Sequence, residues 1–189
     1  MFVKVLSEAG SKEALLGISL SHRRREVSDD DIDWDHFTDV AKRLADKDGG
    51  HNGFLEFLVV YLDIIAPRYW WVQFDRYRHV SKLSESTMHT LMKDPIQQSF
   101  FEKEIDPSIL KHLEELRNSK DFEQLKNELP EGFLQRRIVT TNYKSLRNMI
   151  LQRKGHLLGE WRIFISELGK QLKYASDFLP IENRKKELC

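Results

Sequence analysis

Residues Phe54 to Arg78 read FLEFLVVYLDIIAPRYWWVQFDRYR, and their reading decides the fold class. Phe54 to Ile65 is rich in β-branched and aromatic side chains and nearly continuous in its apolarity, which predicts a strand buried on both faces. Pro67 ends that strand or starts the next element. Arg68 to Arg78 then predicts a short helix that delivers a polar segment, Arg76-Tyr77-Arg78-His79-Val80-Ser81-Lys82-Leu83-Ser84-Glu85-Ser86-Thr87. A polar cluster directly after a buried strand is where the edge of an α/β sheet commonly presents a ligand site.

On the N-terminal side, FVKVL (Phe2 to Leu6) alternates apolar with polar and predicts an opening strand, followed by a helix from about Lys12 to Ser21. Arg23-Arg24-Arg25 and Asp29-Asp30-Asp31 read as an exposed loop whose opposite charges offset each other. A helix over Trp34 to Asp46 carries Phe37, Val40, Ala41 and Leu44 on one face, and DKDGGHNG (Asp46 to Gly53) stops it. On the C-terminal side, Asp106-Pro107 supplies a cap and a first-turn proline, with Ile109, Leu113 and Leu116 at helical spacing. That helix breaks near Asn118 and resumes to Leu129, before a turn at Pro130-Glu131-Gly132. Leu146, Met149 and Ile150, then Leu157, Trp161, Phe164, Ile165, Leu168 and Leu172, give one or two amphipathic helices. The class is α/β (α+β), with more helix than strand, in a single domain over residues 1–189.

Composition limits the function. Lys plus Arg equals Asp plus Glu at 30 each, so the bulk charge does not suggest a surface built to grip nucleic acid or an anionic membrane; any anion site is local. A nucleic-acid reading would rest on Arg23 to Arg25 and the basic stretch near Arg136 alone. Cys189 is the one cysteine, which excludes an internal disulfide framework, a cysteine zinc site and an internal cysteine nucleophile. No stretch approaches the length of an uninterrupted apolar span, and the first residues lack a signal-peptide pattern, so a soluble, cytoplasmic protein is expected. The nucleotide loops GxGxxG and GxxxxGK[ST] are absent.

Two clusters carry chemistry. The denser one holds Gln73, Arg76, Arg78, His79, Ser81, Ser84, Glu85, Ser86, Thr87 and His89. Arginine binds phosphate through two N–H groups and stays charged, and a neighbouring carboxylate can orient it or accept from a substrate. A phosphate-bearing ligand and a salt-bridged structural loop are both open readings. The second cluster gathers Arg136, Arg137, Lys144, Arg147, Arg153 and Lys154 around Asn142 and Asn148. A solvated helix face accounts for most of these charges, and one helix would place Asn142, Asn148 and Arg153 roughly along one side.

These residues resemble the flavin-dependent thymidylate synthases. That family carries R-H-R-x-x-S-x-N-E-x-S-x-R-Y, and Arg76, Arg78, Ser81 and Glu85 match it with one residue inserted before Glu85. Upstream, His51, a strand ending in Ala66-Pro67, and Gln73 follow in the family's order. Downstream, Leu129-Pro130, a nine-residue gap, Thr140-Thr141-Asn142, Ser145-Leu146, Asn148 and Arg153 keep the family's spacing. Gly159-Glu160-Trp161-Arg162-Ile163 looks like the closing A-Q-W-E-I. The resemblance runs from roughly His51 to Trp161.

The resemblance implies a central sheet flanked by helices, a homotetramer with sites shared between subunits, and reductive methylation of dUMP to dTMP. Methylenetetrahydrofolate would give the carbon, and FAD reduced by NADPH the hydride. Gln73, Arg76, Glu85, Ser86, Thr87, His89, Lys126 and Arg153 would then take the nucleotide, with Lys126 at a phosphate position and Arg153 polarising the uracil. His51, Arg76, Tyr77, Arg78, His79, Asn142, Lys144, Asn148 and His156 would meet FAD. Arg153, Thr87 and Ser86 fall at catalytic positions, and no metal is implied.

The departures are local. Tyr77 stands for the motif histidine, Leu83 or Ser84 for its asparagine, Thr87 for its serine and His89 for its arginine, while Glu160 and Arg162 replace the closing Gln and Glu. His89 is mostly uncharged near neutral pH and lacks arginine's two-pronged contact. Glu160 and Arg162 are expected to pair with each other or across an interface. The alternative function is a diverged binding or protein-interaction module on the same scaffold, or a related 5-substituting pyrimidine nucleotide enzyme. A version this short and divergent suits a bacterial virus (phage).

Overall fold

The computed structural model describes residues 1–21, 32–47 and 50–181. The Arg23–Arg25 and Asp29–Asp31 runs and Cys189 lie outside the described residues. Strand β1 (Phe2–Ala9) leads into helix α1 (Ser11–Ser19) through Gly10, whose φ of +87° and closeness to Phe57 require glycine: a Cβ there would sit 2.0 Å from the Phe57 carbonyl oxygen. Helix α2 (Trp34–Ala45) starts on Asp33, whose carboxylate accepts from the His36 N–H, and buries Phe37 and Ala41 as the spacing predicts.

Strand β2 (Val59–Pro67) begins later than the apolar run suggests. Gly53–Glu56 form a 3-10 turn that buries Phe54 and Leu55, and a short apolar run cannot distinguish a strand from a buried turn. The expected burial of both strand faces is also corrected. Val60, Leu62, Ile64 and Ala66 are fully buried, whereas Tyr61 on the opposite face is 40% exposed. The reason is the sheet: all its pairings are antiparallel, in the order β1-β2-β4-β3, and the core lies on one side.

Strands β3 (Ser81–Ser84) and β4 (Leu134–Asn142) were not expected, since the basic stretch from Arg136 reads as helix. β4 pairs with β2 along its whole length, from Val59 opposite Asn142 to Pro67 opposite Leu134. Its charges are placed by that pairing: Arg136 faces away from the core and grips Asp63 through Nε (2.8 Å) and Nη2 (2.6 Å), so the one buried carboxylate of β2 is neutralised.

After β2 come α3 (Arg68–Phe74) and a short α4 (Thr87–Thr90). Helices α5 (Pro107–Asn118) and α6 (Phe122–Glu128) break where the sequence says, with Asp106 and Asp121 as caps, and enclose a small core around Leu113, Leu125 and Phe133. Helix α7 (Tyr143–Arg153) is capped by Asn142, and α8 (Gly159–Gln171) and α9 (Ala175–Phe178) complete the chain. Leu157, expected in the core, is 95% exposed because it lies in the turn before α8. Gln171 shields the edge of β1: its side-chain oxygen accepts from the Val5 N–H (2.9 Å) and its amide donates to the Val3 carbonyl (3.0 Å). No helix among the described residues is long and apolar enough to cross a membrane.

The main core is aromatic. Trp70 stacks on Phe74 and packs against Trp161 and Phe164, all fully buried. Trp70 and its neighbour Trp71 differ in one respect: the Trp71 indole N–H donates to the Gln135 carbonyl (2.9 Å), whereas the buried Trp70 N–H has no partner among the described residues. Substituting Trp71→Phe is therefore expected to cost about 1 kcal/mol more than Trp70→Phe, read as a larger drop in urea midpoint at unchanged slope. Equal midpoints for the two variants would contradict the assignment.

Candidate functional site

Helix α3 repeats every three to four residues, so Tyr69 and Gln73 share a face and meet the last residue of α7 and the first turn of α8. The Gln73 side-chain oxygen accepts from the Trp161 indole N–H (3.0 Å) and from Arg153 Nη1 (3.3 Å). Arg153 Nε donates to the Tyr77 hydroxyl (2.7 Å), and the guanidinium lies 5.0 Å from the Trp161 ring centroid and 5.7 Å from that of Tyr77. The His156 ring stands edge-on to Trp161. Four of the residues singled out in the sequence, Gln73, Tyr77, Arg153 and His156, thus gather around one indole.

Beneath this cluster Tyr69 donates its hydroxyl hydrogen to Glu160 (2.5 Å). Burial, then the hydrogen bond to that carboxylate, pushes the Tyr69 hydroxyl above its usual range. Glu160 is buried, and Arg162 instead donates to the His156 carbonyl (3.5 Å), so the expected Glu160–Arg162 pair is not formed within the chain.

A second group surrounds α4. Glu85 joins β4 by three contacts: its N–H donates to the Arg136 carbonyl, its carboxylate accepts from the Arg136 N–H, and its carbonyl accepts from the Gln135 amide. Ser86 Oγ lies 2.9 Å from His89 Nδ1. Thr87 is buried and accepts from Lys126 Nζ. Burial, with repulsion from Arg68, lowers the Lys126 ammonium below its ordinary value.

Between the groups runs an exposed loop. Arg76, Arg78 and His79 project from it, and neither guanidinium has a hydrogen-bond or ion-pair partner among the described residues. The backbone is nonetheless fixed: the Arg78 carbonyl accepts from Ser145 Oγ (3.5 Å), the His79 carbonyl accepts from Thr141 Oγ1 (3.3 Å), and His79 is held at a φ of +57°. The remaining sequence candidates stand apart. Asn142 is spent as a helix cap, Lys144 pairs with Glu56 (2.9 Å), Asn148 is exposed, and His51 lines a cleft of about 680 Å³ between α1 and α2. Asn142, Asn148 and Arg153 therefore do not share one helix side, because Asn142 precedes the helix and serves as its cap.

The sequence reading does not assign Asp75, Lys82, Arg137 or the indole N–H of Trp161. Asp75 accepts from Lys82 Nζ (2.7 Å) and Arg137 Nη1 (2.9 Å), and Arg137 lies 4.4 Å from the Trp71 ring centroid. This network ties β3 and β4 to the residue just before Arg76. The sequence offered one signal for it, an acid set between Gln73 and Arg76.

Comparison with known proteins gives a consistent picture. The family model described as thymidylate synthase complementing protein matches residues 8–175. A crystal structure of flavin dependent thymidylate synthase ThyX from Helicobacter pylori, complexed with FAD and dUMP, is similar at a TM-score of 0.76 and 19% identity, covering 97% of this chain and 100% of that one. A second structure of that protein, also with FAD and dUMP, gives 0.74 and 20%, covering 95% and 97%. None of the curated proteins matches this sequence.

The Asp75 network makes a pH prediction. Burial alone would raise the Asp75 carboxyl, but hydrogen bonds from Lys82 and Arg137 outweigh it and hold it below its usual range. A carboxyl depressed in the folded state stabilises above its unfolded value, about 4, and loses that contribution as pH falls through the folded one. With the Asp75 side chain 42% exposed, Asp75→Asn is expected to cost only about 1 kcal/mol at neutral pH. In denaturant titrations the gap between wild type and variant should narrow below about pH 4; a gap that widens there contradicts the network.

Proposed function

Because this chain belongs to the thymidylate synthase complementing protein family, we propose that it is a flavin-dependent thymidylate synthase-like enzyme that reductively methylates dUMP to dTMP. Methylenetetrahydrofolate is the carbon donor, NADPH the reductant and FAD the cofactor. The observation that carries the reading to this chain's own residues is the meeting of Gln73, Arg153 and Trp161. An arginine set over an indole ring, with part of its fork uncommitted, suits a pyrimidine carbonyl that gains negative charge.

Each group then has a task. Gln73 and Arg153 hold the uracil, and Arg76, with Lys126, Ser86, Thr87, His89 and Glu85, meets the rest of the nucleotide. A half-buried lysine beside a buried threonine hydroxyl supports a phosphate site. FAD fits the exposed Arg78, unpartnered among the described residues, beside His79 on an immobilised backbone, which suits a diphosphate, together with Tyr77, His156, Asn142, Lys144, Asn148 and His51. When bound, FAD supplies the redox chemistry, taking reducing equivalents from NADPH for the transferred carbon. The chain itself binds, orients and neutralises charge. This division of labour agrees with the lack of any cysteine before Cys189, since the protein supplies no thiol nucleophile.

The enzyme is cytoplasmic and a homotetramer in this reading. What supports assembly is the sheet face opposite the core, which exposes Phe2 (46%), Tyr61 and Leu83 (78%).

Purified protein tests the reading. It should take up added FAD, bleach with NADPH in the absence of oxygen, and bind dUMP in calorimetry. A colourless protein that takes up neither ligand sinks the proposal, and binding of both without turnover favours the diverged binding module. Arg153→Ala should lower turnover roughly 100-fold or more while shifting the melting temperature by only a few degrees. Parallel loss of activity and stability would mark Arg153 as structural.

A further inference from the structure

We infer that Tyr77 is a positioning residue for Arg153, and that it sets the edge of the guanidinium which a ligand meets. The inference rests on the reading of Arg153 as the uracil-binding arginine. Tyr77 occupies the place where the resembled motif has histidine, so this contact belongs to this chain's own residues.

The tyrosine is itself well held. Its N–H donates to the Phe74 carbonyl (3.2 Å) in the turn that ends α3, and its ring packs edge-on to Phe74 and Trp161. From there its hydroxyl oxygen accepts the Nε–H of Arg153 at 2.7 Å. A guanidinium has five N–H groups. One is committed to Tyr77 and one, on Nη1, to Gln73, while the guanidinium carbon sits over the Trp161 ring, 5.0 Å from its centroid. The N–H groups left over are all on the two terminal nitrogens. A ligand oxygen must therefore approach Arg153 end-on, because the Nε side is closed.

The donor and acceptor pattern fixes the remaining polarity. Trp161 and Arg153 are donors only, so the side-chain atom of Gln73 facing them is its oxygen, and its amide N–H groups point elsewhere. The Tyr77 hydroxyl accepts from Arg153, which leaves its own hydrogen without a partner among the described residues. Tyrosine thus steers the arginine and offers one further donor beside it. A protonated histidine at this place has no lone pair to accept Nε–H.

Hydrogen exchange of the Arg153 side chain tests the contact without any ligand. In the ¹⁵N-labelled full chain the Arg153 Nε–H should exchange with water more slowly than in Tyr77→Phe, by roughly tenfold, with the melting temperature unchanged. Equal rates in the two proteins overturn the proposal. Should Tyr77→Phe fail to fold, Tyr77→Leu carries the same comparison. In calorimetry with dUMP, Tyr77→Phe should weaken binding roughly tenfold in the Arg153 protein and add nothing in Arg153→Ala. Equal losses in both backgrounds also overturn it, since Tyr77 would then not act through Arg153. If the wild type binds no dUMP, the uracil reading fails, and the exchange rates still decide whether Tyr77 positions Arg153.

Discussion

The ladder between β2 and β4 is the constraint from which the site follows. It joins Val59–Pro67 to Leu134–Asn142 in one antiparallel register, and each strand passes directly into a helix, β2 into α3 and β4 into α7. Because the strands are antiparallel, those helices start at opposite ends of the ladder. Nine paired residues span about 30 Å, whereas α3 and α7 rise about 10 Å and 16 Å. Helices folded back over the same sheet face therefore approach end to end, and the contact found there is Gln73, near the end of α3, with Arg153, the last residue of α7. The site is the closing point of two strand–helix units, and the chain separation of its members, 80 residues, is a product of the ladder.

That geometry demands a particular core. α3 puts Trp70, Trp71 and Phe74 against the sheet and α8, while the same short helix must present Gln73 to the site. Trp161 serves both sides of this wall: its ring packs on Trp70 and Phe74, and its N–H reaches Gln73. The indole is suited to it, being apolar over most of its surface with one donor at the rim. Glu160, beside it in sequence, would be costly to bury alone, and Tyr69 from α3 supplies its hydrogen bond. Polar satisfaction and the layout of the candidate site are here the same set of contacts.

Most helices were legible because their signals are local. The Asp106-Pro107 start, the break after Asn118 and the apolar face of α2 depend on residues within a turn or two of each other. β4 was not legible, because Arg136 and Arg137 occupy both of its faces and erase the alternation that marks a strand. Each is tolerated for a non-local reason: Arg136 meets Asp63 and Arg137 meets Asp75 and Trp71. The apolar Phe54–Leu55 pair misled in the opposite sense, being buried without being strand. At the site, the motifs singled out Gln73, Tyr77, Arg153 and His156, and the fold brings these four around Trp161. Their partners, Asp75, Glu160 and the Trp161 N–H, depend on register and could not be read from spacing.

The same register explains how a chain with no net charge holds a cationic site. The arginines that the ladder and its helices carry inward or across the sheet find carboxylates: Arg136 with Asp63, Arg137 with Asp75, Arg147 with Asp46, Arg68 with Glu131. These pairs fix the frame and cancel their own field. Asp75, the nearest acid in sequence to Arg76 and Arg78, is already taken by Lys82 and Arg137, and neither guanidinium has an ion-pair partner among the described residues. Their loop is pinned by its backbone to β4 through Thr141 and to the first turn of α7 through Ser145. Two guanidinium groups thus stand on a fixed loop without a carboxylate partner among the described residues, a local charge arrangement that an anionic ligand would complete.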